Sequence, residues 1–497
     1  MRQYICILAN GRGTKVKQAS RRSFLTGMVA AGALPLFNIG CVGFGQSRAK
    51  QIAKGAKIRV ALIGCGGRMR QLLEPLMAED VVALADPDPR MIERTREKMS
   101  KIPGGSDVAK VRTFADYREL YEKMGDEIDA AVIATPNHHH ALAAVLAMRR
   151  GIHVFVEKPM ASTVAEAQLM GRVAKETGVV TQVGNFGHST KAMRICVDAI
   201  RNGVIGEVSD VWCYDDRLNS MLERPPAVPP PQGMDWDAWC GPAPVCDYYA
   251  PNEDHEGLHP HDWHSWIGYG NGSIGNIGTH IMDAAFWALD LGKTGPESVE
   301  ALELQFACPG AWAWRDTIDF RFPARGGLPP VTLHWWDGVK DGIPYSREYV
   351  SRTGVCHRRE YQNLPPIIEE TEREYGLAKA PFLNMGSLFV GTKGKIWFSH
   401  HSAIRFFPKT LGKEIKKSKK FTYKTTEHTL EFYAAIREGR EANTGFGYSV
   451  PLAETLLLGN VAARAGKKRL LWDGRRITND EAANAYLTTS YRNGWEI

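Results

Sequence analysis

Residues 58–86, IRVALIGCGGRMRQLLEPLMAEDVVALAD, restrict the fold more than any other part of the chain. Ile58 to Ile63 is an apolar, β-branched run of the kind that forms a buried parallel strand. Gly64, Gly66 and Gly67 follow at once, and Arg68 to Ala78 then sets Met69, Leu72, Leu73, Leu76 and Met77 at helical spacing. Val81 to Ala85 is a second apolar run, closed by Asp86. Strand, glycine turn, helix, strand and acid is the order of a dinucleotide-binding βαβ unit. Gly64 permits the tight turn, and Gly66 lets the backbone approach a pyrophosphate at the positive end of the helix. Gly67 and Arg68 complete the candidate cofactor-binding turn. Asp86, twenty residues beyond Gly66, is placed to accept hydrogen bonds from an adenosine ribose diol. That favours NAD over NADP, because a 2′-phosphate would meet its negative charge. Met69 stands where the fingerprint has its third glycine.

The alternation continues. Pro87 to Lys101 and Phe114 to Met124 read as helices, and Asp129 to Thr135 as a strand that ends in Pro136-Asn137-His138-His139-His140. Ala141 to Arg150 is an alanine-rich helix, Ile152 to Val156 a strand ending in Glu157-Lys158-Pro159, and Val179 to Val183 a further strand. Between the last two, Ser162 begins a capped helix with Glu166 near its first turn. Strands alternating with helices in this way predict a parallel, doubly wound sheet. Beyond Gly184 the texture changes: helices thin out, and Trp, Pro and Gly rise. Strand-like runs at Val208–Tyr214, Ser298–Phe306, Thr317–Phe322, Val331–Trp336 and Lys395–Phe398 predict an α+β domain around a mainly antiparallel sheet. Thr429–Glu438 and Pro451–Gly466 read as helices packed on that sheet. The expected organisation is a leader over residues 1–50, a Rossmann domain over 58–184 and an α+β domain over 185–497.

The 497 residues carry a formal net charge of +7. Residues 1–50 hold eight Lys and Arg and no Asp or Glu, so the remainder is near neutral at −1. The basic balance belongs to the N-terminus and gives no reason to expect nucleic acid. Ser20-Arg21-Arg22-Ser23-Phe24-Leu25-Thr26 follows the twin-arginine pattern, and Gly27 to Gly40 is a mildly apolar stretch too short to span a membrane. The reading is an exported, periplasmic protein without a membrane span. Cys41 after Gly40 is a candidate lipid-anchor site, although Asn38 stands where Leu is usual.

Three constellations carry candidate chemistry. Thr135-Pro136-Asn137 and Glu157-Lys158 end strands on the side where open parallel sheets bind ligands. Lys158, after the later strand, falls at the nicotinamide end, where it can hydrogen-bond a substrate hydroxyl. The segment GNGSIGNIGTHIMD, Gly270 to Asp283, allows a bent backbone near a ligand, and its His280 and Asp283 can share one helix face. A histidine is the usual general base in alcohol oxidation. His255, His259, His261 and His264, interleaved with Glu253, Asp254 and Asp262, have no fixed metal-ligand spacing and read as a polar substrate loop. Trp236, Trp239, Trp263 and Trp266 nearby would suit stacking on sugar rings.

With these residues assembled, the chain resembles the Gfo/Idh/MocA family, named for glucose–fructose oxidoreductase and inositol dehydrogenase. The carrying motifs are ALIGCGGR, ATPNHHH, the EKP of VFVEKPMA, and GSIGNIGTHIMD; GTKGKIWF and LLWDGRRITNDEAANAYL look like an exported branch. The resemblance implies a Rossmann domain followed by an α/β domain whose open sheet mediates homodimer or homotetramer contacts. It implies a nicotinamide cofactor held by Gly64, Gly66, Gly67, Arg68, Asp86, Thr135, Pro136, Asn137, His140, Glu157 and Lys158, and a small carbohydrate as substrate. The family's catalytic lysine maps to Lys158 and its histidine to His280. Its aspartate maps to Asn276, which can orient but cannot carry charge, and Asp283 is the candidate replacement. The implied activity is NAD-dependent oxidation of a sugar or polyol. Two alternatives stand beside it: an NAD-dependent glycosidase or lyase that oxidises its sugar transiently, and a non-catalytic sugar-binding protein with a relic cofactor site.

Overall fold

The computed structural model describes residues 49–400, 403–418, 423 and 426–497. The twin-arginine segment and Cys41 lie outside the described residues. Among the described residues, no helix is long and apolar enough to cross a membrane.

Two sheets organise the chain. The first is parallel throughout, with strands β1 (Arg59–Ile63), β2 (Asp80–Ala85), β3 (Arg112–Phe114), β4 (Ala130–Ile133), β5 (His153–Val156) and β6 (Thr181–Val183) in the order β3-β2-β1-β4-β5-β6. The chain fills one half outward from β1, then returns to β4 and fills the other, so the crevice between the ends of β1 and β4 is the switch point where doubly wound sheets bind ligands. Helix α1 (Gly67–Leu76) turns Met69, Leu72, Leu73 and Leu76 onto the sheet. Met69 is buried in that core and does not line the crevice, so the departure from the third glycine is absorbed by helix–sheet packing. Helices α2 (Pro89–Met99), α3 (Tyr117–Met124), α4 (His140–Met148) and α5 (Val164–Thr177) complete the layers. Thr163, one residue later than the sequence suggests, caps α5: its hydroxyl accepts from Glu166 N at 3.2 Å, while the Glu166 carboxylate accepts from Thr163 N at 3.0 Å and Ser162 N at 2.8 Å.

The second sheet holds β7 (Val208–Tyr214), β8 (Ser298–Gln305), β9 (Arg315–Phe322), β10 (Val331–Gly338), β11 (Gly386–Gly391), β12 (Gly394–Phe398), β13 (Ile404–Phe407) and β14 (Arg469–Leu471). Their order is β13-β12-β11-β7-β10-β9-β8-β14, antiparallel except for the β7–β10 pair. Along β10, Val331, Leu333 and Trp335 are buried against helices, and the alternating Thr332, His334 and Trp336 are half-buried on the opposite face.

Several elements depart from the sequence reading. Phe114 ends a short strand, and the helix begins three residues later at Tyr117, where Asp116 caps it. The stretch Gly270 to Leu289 is three short helical pieces, Gly272–Asn276, Gly278–Ile281 and Asp283–Ala288, joined by Ile277 and Met282. Helix His428–Glu438 packs on α1, with the Tyr433 hydroxyl donating to Leu76 O at 3.1 Å, and Phe432 enters the core of the first sheet. The long helix Phe446–Ala465 packs on α5 as well as on β8 and β9. Residues late in the sequence therefore complete the core around the first sheet, which local patterning cannot reveal.

Candidate active site

The glycine turn sits where two backbones nearly touch. Gly64 has φ +80°, and a Cβ there would lie 2.8 Å from Ala134 C, Ala134 O and Thr135 N. Gly64 N donates to Ala85 O at 2.8 Å, and Ala134 N to Ile63 O at 2.8 Å, so the turn is locked to β2 and β4. Gly66 and Gly67 are the opposite case, since a Cβ on either meets nothing within 4 Å. That open side faces a cleft of about 620 Å³ running over the ends of β1, β2, β4 and β5. Gly66 caps α1 without a side chain, leaving the first-turn N–H groups for a ligand.

Asp86 lines one end of the cleft. Its carboxylate accepts from Cys65 N at 2.7 Å and Asp88 N at 2.9 Å, which fixes it beside the turn. Burial pushes its pKa up to about 6, with those two N–H groups and His259 opposing the rise. A carboxylate accepts ribose hydroxyls; a carboxylic acid loses part of that capacity. Dinucleotide affinity is therefore expected to weaken as pH falls through about 6, as measured by fluorescence titration with NADH, and Asp86→Asn is expected to remove the pH dependence.

Toward the other end, Thr135 Oγ1 and both amide atoms of Asn137 are buried on the cleft wall with no hydrogen-bond partner. Buried polar atoms without partners are costly unless something in the cleft satisfies them. Together with the open glycine cradle and the acid, they fit a nicotinamide dinucleotide. Arg68 donates to the Glu157 carboxylate at 2.8 Å and ties the turn to the end of β5. His140 is a correction. Its ring nitrogens face Pro159 O at 2.7 Å and Thr135 O at 2.9 Å, so it braces the two strand-end turns against each other, and His139 lines the cleft in its place.

Lys158 reaches the cleft wall, and its ammonium donates to Asn276 Oδ1 at 2.7 Å. Burial lowers its pKa to about 8, with Glu157 opposing and Arg217 and Arg68 adding to the fall. His280 Nδ1 lies 2.9 Å from Asn185 Oδ1. Asn185 Nδ2 donates to Thr279 O at 3.2 Å, which sets the amide so that its oxygen faces the imidazole. The proton then sits on Nδ1, and Nε2 is the acceptor nitrogen. The His280 ring is buried beside Phe186 (centroids 5.6 Å apart) and His400 (5.2 Å) and is not among the residues that line the cleft.

Asp283 does not join His280. It is fully buried, 3.0 Å from His188 Nδ1, and accepts from the Tyr448 hydroxyl at 2.5 Å. Through these two contacts it ties helix Phe446–Ala465 to the segment after β6. Asp283→Ala is expected to cost about 3 kcal/mol of stability by stranding its partners, read as a lower unfolding midpoint, with the rate per folded molecule little changed.

Sequence reasoning missed Asn185, which directly follows the end of β6. The strand-end rule that picked out Asn137 and Lys158 would have found it. Of the four tryptophans, Trp239 and Trp263 line the cleft, while Trp236 stacks on Trp239 at 4.4 Å and Trp266 donates to the Tyr249 hydroxyl at 2.8 Å. Of the loop histidines, His255 faces Asp262, while His259, which accepts from Trp239 Nε1 at 3.2 Å, lines the cleft with His261 and His264.

Residues 58–185 match the model of an oxidoreductase family with an NAD-binding Rossmann fold, GFO_IDH_MocA. Among curated relatives, the 2,7-anhydro-N-acetylneuraminate hydratase of Mediterraneibacter gnavus is 31% identical over 113 residues, 23% of this chain and 29% of that protein. A glycosyl hydrolase family 109 protein of Stenotrophomonas maltophilia is 30% identical over 161 residues, 31% of this chain and 35% of that protein. The matches thus span about a third of those relatives' length. A solved structure, the WlbA dehydrogenase of Bordetella pertussis in complex with NADH and UDP-GlcNAcA, is 18% identical with a TM-score of 0.52, over 84% of this chain and 99% of that one. At that identity the likeness speaks for the fold.

Proposed function

From the premise that its Rossmann domain, residues 58–185, makes this chain a member of the Gfo/Idh/MocA oxidoreductases, we propose that it oxidises a carbohydrate hydroxyl with NAD as hydride acceptor. The observation that carries this reading is Lys158 on the cleft wall, two strands along the sheet from the glycine cradle, with Asn276 fixing its ammonium. Bound in the cleft, the nicotinamide supplies the hydride acceptor. Lys158 donates a hydrogen bond to the reacting oxygen and stabilises the negative charge that develops on it. His280, with Nδ1 held by Asn185, presents Nε2 as the proton acceptor. Asp86, with both oxygens already holding backbone N–H groups, favours NAD over NADP, since its negative charge would face a 2′-phosphate. The twin-arginine segment supports export of the folded chain with its cofactor already bound.

A second reading, glycosidic cleavage through transient oxidation, is compatible with the names of the two curated relatives. Product analysis on sugar glycosides separates the two. Net oxidation leaves one reduced nicotinamide per site and an intact glycosidic bond. The second reading requires cleavage with no net reduction and no added NAD.

A further inference from the structure

The sequence reading left residues 491–497 without a role beyond the resemblance. Trp495 is 4% exposed and lines the dinucleotide cleft. Its position is defined by its neighbours. Tyr117 and His139 meet its ring edge-on at 6.2 and 5.8 Å, and the Arg118 guanidinium lies 3.4 Å over its face. Tyr117 follows the end of β3, and β3 is locked to the acid at the end of β2 by the bond from Asp86 N to Phe114 O at 3.0 Å. Trp495 therefore stands between the segments that follow β3 and β4, in the cleft that Asp86 lines, where an adenosine would lie.

The segment that carries Trp495 is held by polar anchors on three sides of the cleft. Tyr491 donates to Glu166 Oε1, in the capping box of α5, at 2.6 Å. Arg118 donates to Gly494 O at 2.6 Å. Arg492 forks onto the loop at Trp236–Gly241, donating to Gly241 O at 3.0 Å and Asp237 O at 2.9 Å and pairing with the Asp237 carboxylate. That loop carries Trp239, whose carbonyl receives His138 Nε2 at 3.0 Å and His139 Nε2 at 2.8 Å. Packing alone would account for a buried tryptophan. It does not account for an arginine fork, a carbonyl bridge and a tyrosine anchor converging on a segment whose buried ring forms cleft wall.

We infer that Trp495 is a cofactor-retaining residue: it closes the adenosine end of the cleft, and a bound dinucleotide leaves when segment 491–497 lifts. This rests on the dinucleotide reading of the cleft given above. Release becomes coupled to the short helix Trp236–Cys240, because Arg492 binds the segment to it. A cofactor retained in this way suits a cycle in which the nicotinamide is reduced and reoxidised without leaving.

The test is the rate of NADH release from the purified full chain, followed by fluorescence while excess NAD displaces it, alongside the affinity for ADP-ribose and the unfolding midpoint of the unliganded protein. Trp495→Ala is expected to speed release about tenfold or more, in the range seen when an aromatic contact to a base is removed. ADP-ribose affinity should fall in parallel, and Trp495→Phe should restore most of the loss. Arg492→Gln keeps the tryptophan and loosens the segment, so it is expected to raise the release rate by a smaller factor, and it carries the test if Trp495→Ala fails to fold. Unchanged release in the folded variants, with only a lower midpoint, would overturn the inference. Wild-type protein that binds neither NADH nor ADP-ribose would overturn the dinucleotide reading itself.

Discussion

Lys158→Met is expected to lower the rate of hydride transfer by about 10²- to 10⁴-fold while leaving NADH affinity close to wild type. Methionine nearly preserves the length and apolar stem of lysine, so the buried slot stays filled. What it removes is the donor that faces Asn276 Oδ1 and the cleft. The same group sets the pH dependence. Its pKa is lowered to about 8, so the ammonium form dominates at neutral pH and is lost as pH rises through about 8. A step that needs the charged form should slow on that alkaline side. Asn276→Asp would put a carboxylate where an amide oxygen now lies 2.7 Å from the ammonium, favour the charged form, and move the alkaline fall upward by about one unit or more. The measurements are a single-turnover rate for Lys158→Met and a rate–pH profile for Asn276→Asp. A wild-type rate in the first would remove Lys158 from the chemistry.

Two glycines two residues apart are expected to fail in opposite ways. At Gly64 the backbone is left-handed and three backbone atoms of Ala134 and Thr135 lie 2.8 Å from any Cβ. Neither neighbour is a flexible side-chain tip, so Gly64→Ala must push β4 away from β1. The left-handed conformation alone costs about 1–2 kcal/mol, and with the backbone clash the loss is expected to be about 3 kcal/mol or more. The variant should unfold at a clearly lower temperature and lose NADH binding with it. Gly66→Ala meets nothing within 4 Å and has φ −70°, which any residue adopts. It should leave the unfolding midpoint in place and weaken NADH, because its methyl would occupy the space reserved for the pyrophosphate. Calorimetry on the unliganded variants together with NADH titration separates the two. Equal affinity in Gly66→Ala and wild type would mean the cradle does not hold the cofactor.

The Rossmann half was legible because its chemistry is local. A strand, a turn and an acid twenty residues on are spelled out in order, and Lys158 is marked by the strand end that carries it. The rest depends on contacts between distant segments. Asp283 looked like a partner for His280 because the two are three residues apart, yet His188 and Tyr448, brought in from distant segments, take its carboxylate. His140 looked like a ligand contact from its place after a strand, but two backbone carbonyls claim its ring and His139 reaches the cleft. Asn185, Phe432 and Trp495 act on elements 95, 277 and 378 residues away in sequence, counted to His280, Phe155 and Tyr117. No periodicity in a short window carries that information. Strands β3, β13 and β14 escape a local reading because each is only three or four residues long, and β11 because its place is set by pairing with β7 and β12.

The central claim is that this cleft joins a bound nicotinamide to a carbohydrate hydroxyl through Lys158. A single-turnover experiment tests it most directly. Protein loaded with NAD is mixed with a panel of sugars, polyols and glycosides, and the absorbance of reduced nicotinamide is followed. The account predicts a rise of one equivalent per site with at least one member of the panel, abolished by Lys158→Met. Tight NAD binding with no reduction by any member, or an equal rise in Lys158→Met, would contradict it.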